Sequence, residues 1–96
     1  MDRSSPQPLG SVLQSVIDDL DIQDKIDEAR AIETWAHLVG ASVNRVTSSV
    51  WMRDGVLHVE MQSSAWRSEI YNNREMWRQR INDEFDREVV TSIRLH

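Results

Sequence analysis

The run DGVLHVEMQSSAWRSEI, residues 54–70, decides how the rest of the chain must be arranged. Asp54-Gly55 is the dipeptide that best tolerates positive φ at both centres of a tight hairpin turn. Behind it Leu57, Val59 and Met61 alternate with His58, Glu60 and Gln62, the period of a half-buried strand. Ser63-Ser64 then offers a hydroxyl to cap a helix, and Ala65-Trp66 begins that helix's apolar stripe. Turn, strand and helix start follow one another without a spare residue.

Working outward, residues 47–53 form the strand that the turn joins to residues 56–62. Two strands alone are marginal. A third is predicted at the C-terminus, where Val89, Thr91, Ile93 and Leu95 alternate with Val90, Ser92 and Arg94. Between the second and third strands a helical stretch from Ala65 to about Phe85 is long enough for a crossover. Its predicted buried positions are Trp66, Ile70, Trp77, Ile81 and Phe85. Asn72-Asn73 interrupts it with poor helix formers, leaving one long helix or two.

Upstream, a helix is expected from about Asp24 into the mid-forties, burying Ile26, Ala29, Ile32, Ala36, Val39 and Val43 with Trp35 beside them. Gly40 marks a bend, an end or a close backbone approach. Before it, Leu9, Val12, Leu13, Val16, Ile17 and Leu20 line one side of a first helix of about three turns. An acidic connection with Asp18, Asp19, Asp21 and Asp24 separates the two. It lacks the glycine and terminal glutamate of a calcium loop, so helix capping is its expected role. Residues 1–8, with Pro6 and Pro8, are read as a loose arm, and residues 9–96 as one domain. The fold class is α+β, a three-stranded sheet with helices on one face, preceded by an N-terminal helix.

Composition narrows the function. With 40% hydrophobic and 28% charged residues the chain reads as an ordinary globular protein. No cysteine is present, which removes disulfides and thiolate metal sites. Neither a signal-peptide pattern nor a membrane-length apolar run occurs, so a cytoplasmic protein with no membrane partner is expected. The net charge of −5 argues against nucleic acid wrapping the whole surface. The charge is uneven, however: residues 1–43 carry all of that excess, and in residues 44–96 eight arginines balance eight carboxylates. Ten of the eleven basic residues are arginine, whose planar fork suits phosphate and carboxylate.

Catalysis finds little support. His37, His58 and His96 are isolated in sequence, and with three glycines there is no phosphate-binding loop. His58 and Glu60 share a strand face, but paired polar groups on a wet sheet are the commoner meaning of that pattern. No catalytic, metal or cofactor residue is assigned. Along the last helical stretch Arg67, Tyr71, Arg74 and Arg78 are spaced four, three and four, which lines three cations and an aromatic along one ridge. Such a ridge can follow a phosphate backbone, with Tyr71 stacking on an unpaired base. It can equally be a solvated face with ion pairs to Glu69, Glu75 and Glu88, and the residues alone favour that simpler reading. Trp35, Trp66 and Trp77 are read as core. Trp51 falls out of phase with Val50 and Met52, so it is the candidate anchor for a protein contact.

Taken together, Trp35, Val39-Gly40, Val43, Gly55, Leu57, Val59, Ser63-Ser64, Trp66, Ile70, Ile81-Asn82 and Ile93 resemble the signature of the DciA-like domain family. The G-x-L-x-V strand followed by Ser-Ser-x-Trp is its most specific part. The resemblance covers nearly the whole chain, read as a short single-domain form. It implies a type II-like KH fold, contact with a DnaB-type replicative helicase, some affinity for DNA, and no ATPase activity; single-stranded DNA is the form expected as a partner. Two positions depart from the family: Val46 stands where a histidine is frequent, and Asp86-Arg87-Glu88 replaces a glycine turn. The spot where a KH domain carries its GXXG loop reads Asn72-Asn73-Arg74-Glu75, so that grip is missing. A helicase adaptor in DNA replication is therefore expected. The alternative is a protein-interaction domain, self-associating or not, with no nucleic-acid contact.

Overall fold

The computed structural model describes residues 9–96, and side chains from Ile22 onward. The order is α1 (Leu9–Arg45), β1 (Thr47–Arg53), β2 (Val56–Met61), α2 (Ser64–Asn72), α3 (Arg74–Asn82) and β3 (Ser92–Leu95). The three strands form one sheet in the order β1-β2-β3, with β1 antiparallel and β3 parallel to the central β2. This is the expected α+β arrangement, with α2 and α3 supplying the crossover that a parallel neighbour requires.

The hairpin follows from its turn. Asp54 at φ 52° and Gly55 at φ 81° give the positive pair that matches the twist of the flanking strands. Arg53 therefore faces Val56, and the register places Trp51 opposite His58. Leu57, Val59 and Met61 are 0%, 0% and 3% exposed, so β2 is the floor of the core. Ala31, Trp35 and Val43 of α1 pack on it with Ile70, Ile81, Phe85, Val90 and Ile93. Ser63 caps α2 by accepting from the Trp66 amide at 3.2 Å. The long helical stretch is indeed two helices, broken at Asn73, whose backbone leaves helical values at φ −113°, ψ 20°.

Four expectations need correction. The acidic connection is no break: α1 runs through residues 18–24 as helix, because aspartate is a mediocre helix former but neither glycine nor proline interrupts residues 11–39. The buried stripe of α1 is turned from the predicted one, running through Asp27, Ala31 and Trp35, while Ile26 is 47% exposed and Ala29 is exposed as well. Trp66 is 37% exposed and so is not core; the cap at Ser63 sets the phase of α2 so that Ile70 is its buried residue. Strand β3 begins at Ser92 rather than Val89, because the Asn82 side chain takes up the backbone just before it. Asn82 Oδ1 accepts from the amides of Val89 and Val90, and its Nδ2 donates to the Val90 carbonyl, each at 2.9 Å. The expected loose arm at residues 1–8 and the apolar stripe from Leu9 to Leu20 lie outside the described residues or side chains.

Gly40 has φ 81° and ψ −177°, a kink inside α1, and a Cβ there would meet nothing within 4 Å. Of the three readings, the bend holds. Across it Asn44 Nδ2 donates to the Ala36 carbonyl at 2.8 Å, satisfying an acceptor next to the distorted turn.

Candidate functional site

The four ridge residues fall on two helices, Arg67 and Tyr71 on α2 and Arg74 and Arg78 on α3. Each is engaged differently. Arg67 donates through Nη2 to the Met61 carbonyl at 2.9 Å and through Nε to the His96 carbonyl at 3.2 Å. It thereby clasps the ends of β2 and β3, which the Met61 amide also joins by donating to His96 at 3.0 Å. Arg74 donates to the Tyr71 carbonyl at 2.8 Å and lays its guanidinium 4.0 Å above the Tyr71 ring. Tyr71 is 52% exposed, so this cation–aromatic pair stands in solvent at the α2–α3 junction. Arg78 is bound by Glu75 and, at 2.8 Å, by Glu88. Its guanidinium holds the Glu75 carboxyl below the ordinary carboxylate range. Beside the ridge a shallow cleft lined by Arg67, Ser68, Tyr71, Asn72 and Leu95 leads towards the sheet.

A second cluster lies on the sheet face that the helices leave open. Since Leu57, Val59 and Met61 point into the core, His58 and Glu60 point away from it. His58 is flanked in register by Trp51 on β1 and Arg94 on β3. Trp51 is parallel to His58 within 1° at 5.1 Å between ring centroids, and lies 5.4 Å from His96 at 17°. The two imidazoles are joined directly, His58 Nδ1 to His96 Nε2 at 2.9 Å, so one nitrogen donates and the other accepts. Burial, and then the positive charge of its neighbours His96, Arg94 and Arg53, holds the His58 imidazole below its ordinary value. His58 thus pairs with His96, and the pattern it shared with Glu60 is that of a wet sheet face.

Sequence reasoning singled out Trp51 but not its partners. The Trp51–His58 pair was available from the two-residue turn, which fixes 51 opposite 58. His96 was not, because nothing local sets the register of a parallel strand that returns after two helices. Likewise, Arg87 pairs with Asp27 of α1, and that guanidinium holds the Asp27 carboxyl below its usual range. Arg30 lies 4.4 Å above Phe85 beside them. Among the described residues no group of three His, Asp or Glu is placed to hold a metal, and no helix is long and apolar enough to cross a membrane.

Comparison with known proteins bears on the whole of this arrangement. A family model described as "Dna[CI] antecedent, DciA" matches residues 8–95. A UPF0232 protein of Mycobacterium leprae is 28% identical over 94 residues, covering 98% of this chain and 50% of its own. UPF0232 proteins of Rhodococcus jostii and Mycolicibacterium paratuberculosis are 24% and 26% identical over the same length. The chain spans about half the length of these curated relatives.

Proposed function

Because the chain belongs to the DciA family, we propose that it is a non-enzymatic adaptor in bacterial DNA replication that binds the DnaB-type replicative helicase and assists its placement on single-stranded DNA. The observation that carries this reading is the match over residues 8–95, which takes in every described element of the fold. The element order from α1 onward, α-β-β-α-α-β, suits a KH-like scaffold, with residues 9–96 as the working unit. A cytoplasmic site of action goes with that role.

The ridge supplies the contact in this reading. Tyr71 and Arg74, already stacked in solvent, offer a base a flat surface and a phosphate a fork. Arg78 is held by the exposed carboxylates of Glu75 and Glu88, which a phosphate would have to displace. Arg67 holds the scaffold beneath them. Replacing Arg74 and Arg78 together by alanine is expected to weaken binding to a single-stranded oligonucleotide and to flatten its salt dependence by about 1.4 in log–log slope. An unchanged slope removes the ridge from the proposal. The adaptor role itself is tested by asking whether the tagged domain retains the replicative helicase from its own cytoplasm.

A second reading rests on Trp51 and Trp66, each 37% exposed. Indoles at the surface suit a protein contact, with the helicase or with a second copy of this domain, and no nucleic acid at all. Capture of the helicase with no oligonucleotide binding at low salt selects this reading over the first.

A further inference from the structure

We propose that the open sheet face is a stacking platform for the unpaired bases of single-stranded DNA, with Trp51, His58 and His96 as the plate and Arg53 and Arg94 as phosphate contacts. The proposal rests on the DNA-placement reading above and assigns it a second surface, distinct from the helical ridge.

Three observations carry it. The first is the plate itself. The ring planes agree within 18° and the centroids are 5.1 to 5.4 Å apart, so the indole and the hydrogen-bonded imidazole pair make one layered aromatic surface. A surface of that shape is what the π-face of any base stacks on, whatever its sequence. The second is exposure without cover. Trp51 remains 37% exposed on a face that no described helix overlies, whereas Trp35 on the opposite side is fully buried. The third is charge. In a chain of net charge −5, the described residues of this face include exposed Arg53 and Arg94 beside the carboxylate of Glu60. Aromatic plate and flanking guanidinium groups together match a polyanion that carries flat rings. The cleft of Arg67, Tyr71 and Leu95 adjoins β3, the strand that also carries Arg94.

The test is fluorescence anisotropy at low salt with a labelled oligothymidylate of about a dozen nucleotides and an abasic phosphodiester strand of equal length. Wild type is expected to prefer the strand with bases. Trp51→Leu is expected to lose about 5- to 100-fold for oligothymidylate, to bind the abasic strand as before, and to keep its salt slope. Trp51→Phe, which keeps an aromatic face, is expected to recover most of that loss. Arg53→Ala with Arg94→Ala is expected to flatten the salt slope by about 1.4 instead. Should Trp51→Leu not fold, as judged by circular dichroism, the phenylalanine variant and the arginine pair decide the matter.

Unchanged affinity in a folded Trp51→Leu overturns the platform; the DNA reading then stands or falls on the ridge variants. No binding of wild type to either strand overturns both, while helicase capture is read separately. A wild-type dimer that Trp51→Leu dissociates without altering DNA affinity assigns this face to a second copy, and that also overturns the proposal.

Discussion

Gly40 and Gly55 share a φ of 81° and differ in what surrounds them. At Gly40 a Cβ has open space, so Gly40→Ala carries backbone strain alone, about 1–3 kcal/mol by urea denaturation. At Gly55 a Cβ would stand 3.2 Å from Thr91 Oγ1 and 3.3 Å from its Cγ2. The cost of Gly55→Ala should therefore shrink when Thr91 is also alanine, while the cost at Gly40 stays the same in that background. Additive penalties in both cases would remove the close approach from the account. His58 makes a pH prediction of the same local kind. Its folded-state pKa lies below the unfolded value of about 6.5, so the folded protein binds fewer protons. Stability from the neutral ring is complete above that value and drains away as pH falls below it. His58→Gln should weaken the dependence of the urea midpoint on pH between about 7 and 5. Asp27, whose pKa is also lowered, acts in a more acidic window, below the usual carboxylate value, and leaves this one clear. Residue by residue, the turn glycine and the outward-facing Trp51 were legible, because each depends on neighbours within a few positions. The pairing of Arg78 with Glu75 and Glu88 was among the ion pairs the spacing offered, but the engagement of Arg67 was not legible, since helical spacing gives the side a residue stands on and not the carbonyls that it finds.

The elements differ in how far their own sequence determines them. Strands β1 and β2 were readable almost to the residue, because a two-residue turn and a strict alternation leave one register. Helix α1 was misphased: its apolar residues are dense enough to draw more than one stripe, and the packing of Trp35 edge-on to Trp77 at 5.7 Å chooses among them. Strand β3 was placed too early, since Val89 and Val90 alternate well enough for a strand but are held by Asn82 instead. Asn82 stood in the family signature with no role attached, and the structure supplies one. Asn82→Ala leaves the amides of Val89 and Val90 without their acceptor, and Val90 is fully buried. The expected cost is about 2–3 kcal/mol in thermal or urea unfolding. Asn82→Asp keeps the acceptor oxygen but sets a second carboxyl oxygen against the Val90 carbonyl, so it should fall in between at a pH low enough to protonate that carboxyl, which can then donate. Equal losses for the two variants would mean that the amides do not need that oxygen.

Across the whole molecule, charge and apolar surface are sorted by place. The acidic excess lies in residues 1–43, which include most of α1, while the guanidinium groups of Arg53, Arg94, Arg67 and Arg74 gather around the sheet and the α2–α3 pair. The sequence showed that asymmetry as a count along the chain. It could not show that β3, by returning beside β2, sets Arg94 and His96 next to Trp51.

The clasp of Arg67 on the carbonyls of Met61 and His96 has a mechanical consequence. One guanidinium moors the tail of the last strand to the rod that bears Tyr71, so tension applied at either place is transmitted to the other. A lysine there has a single ammonium that cannot reach both carbonyls with the same planar fork. Arg67→Lys is expected to quicken deuterium uptake at the Met61 amide, and uptake unchanged from wild type would mean that the tail is anchored by its backbone bonds alone.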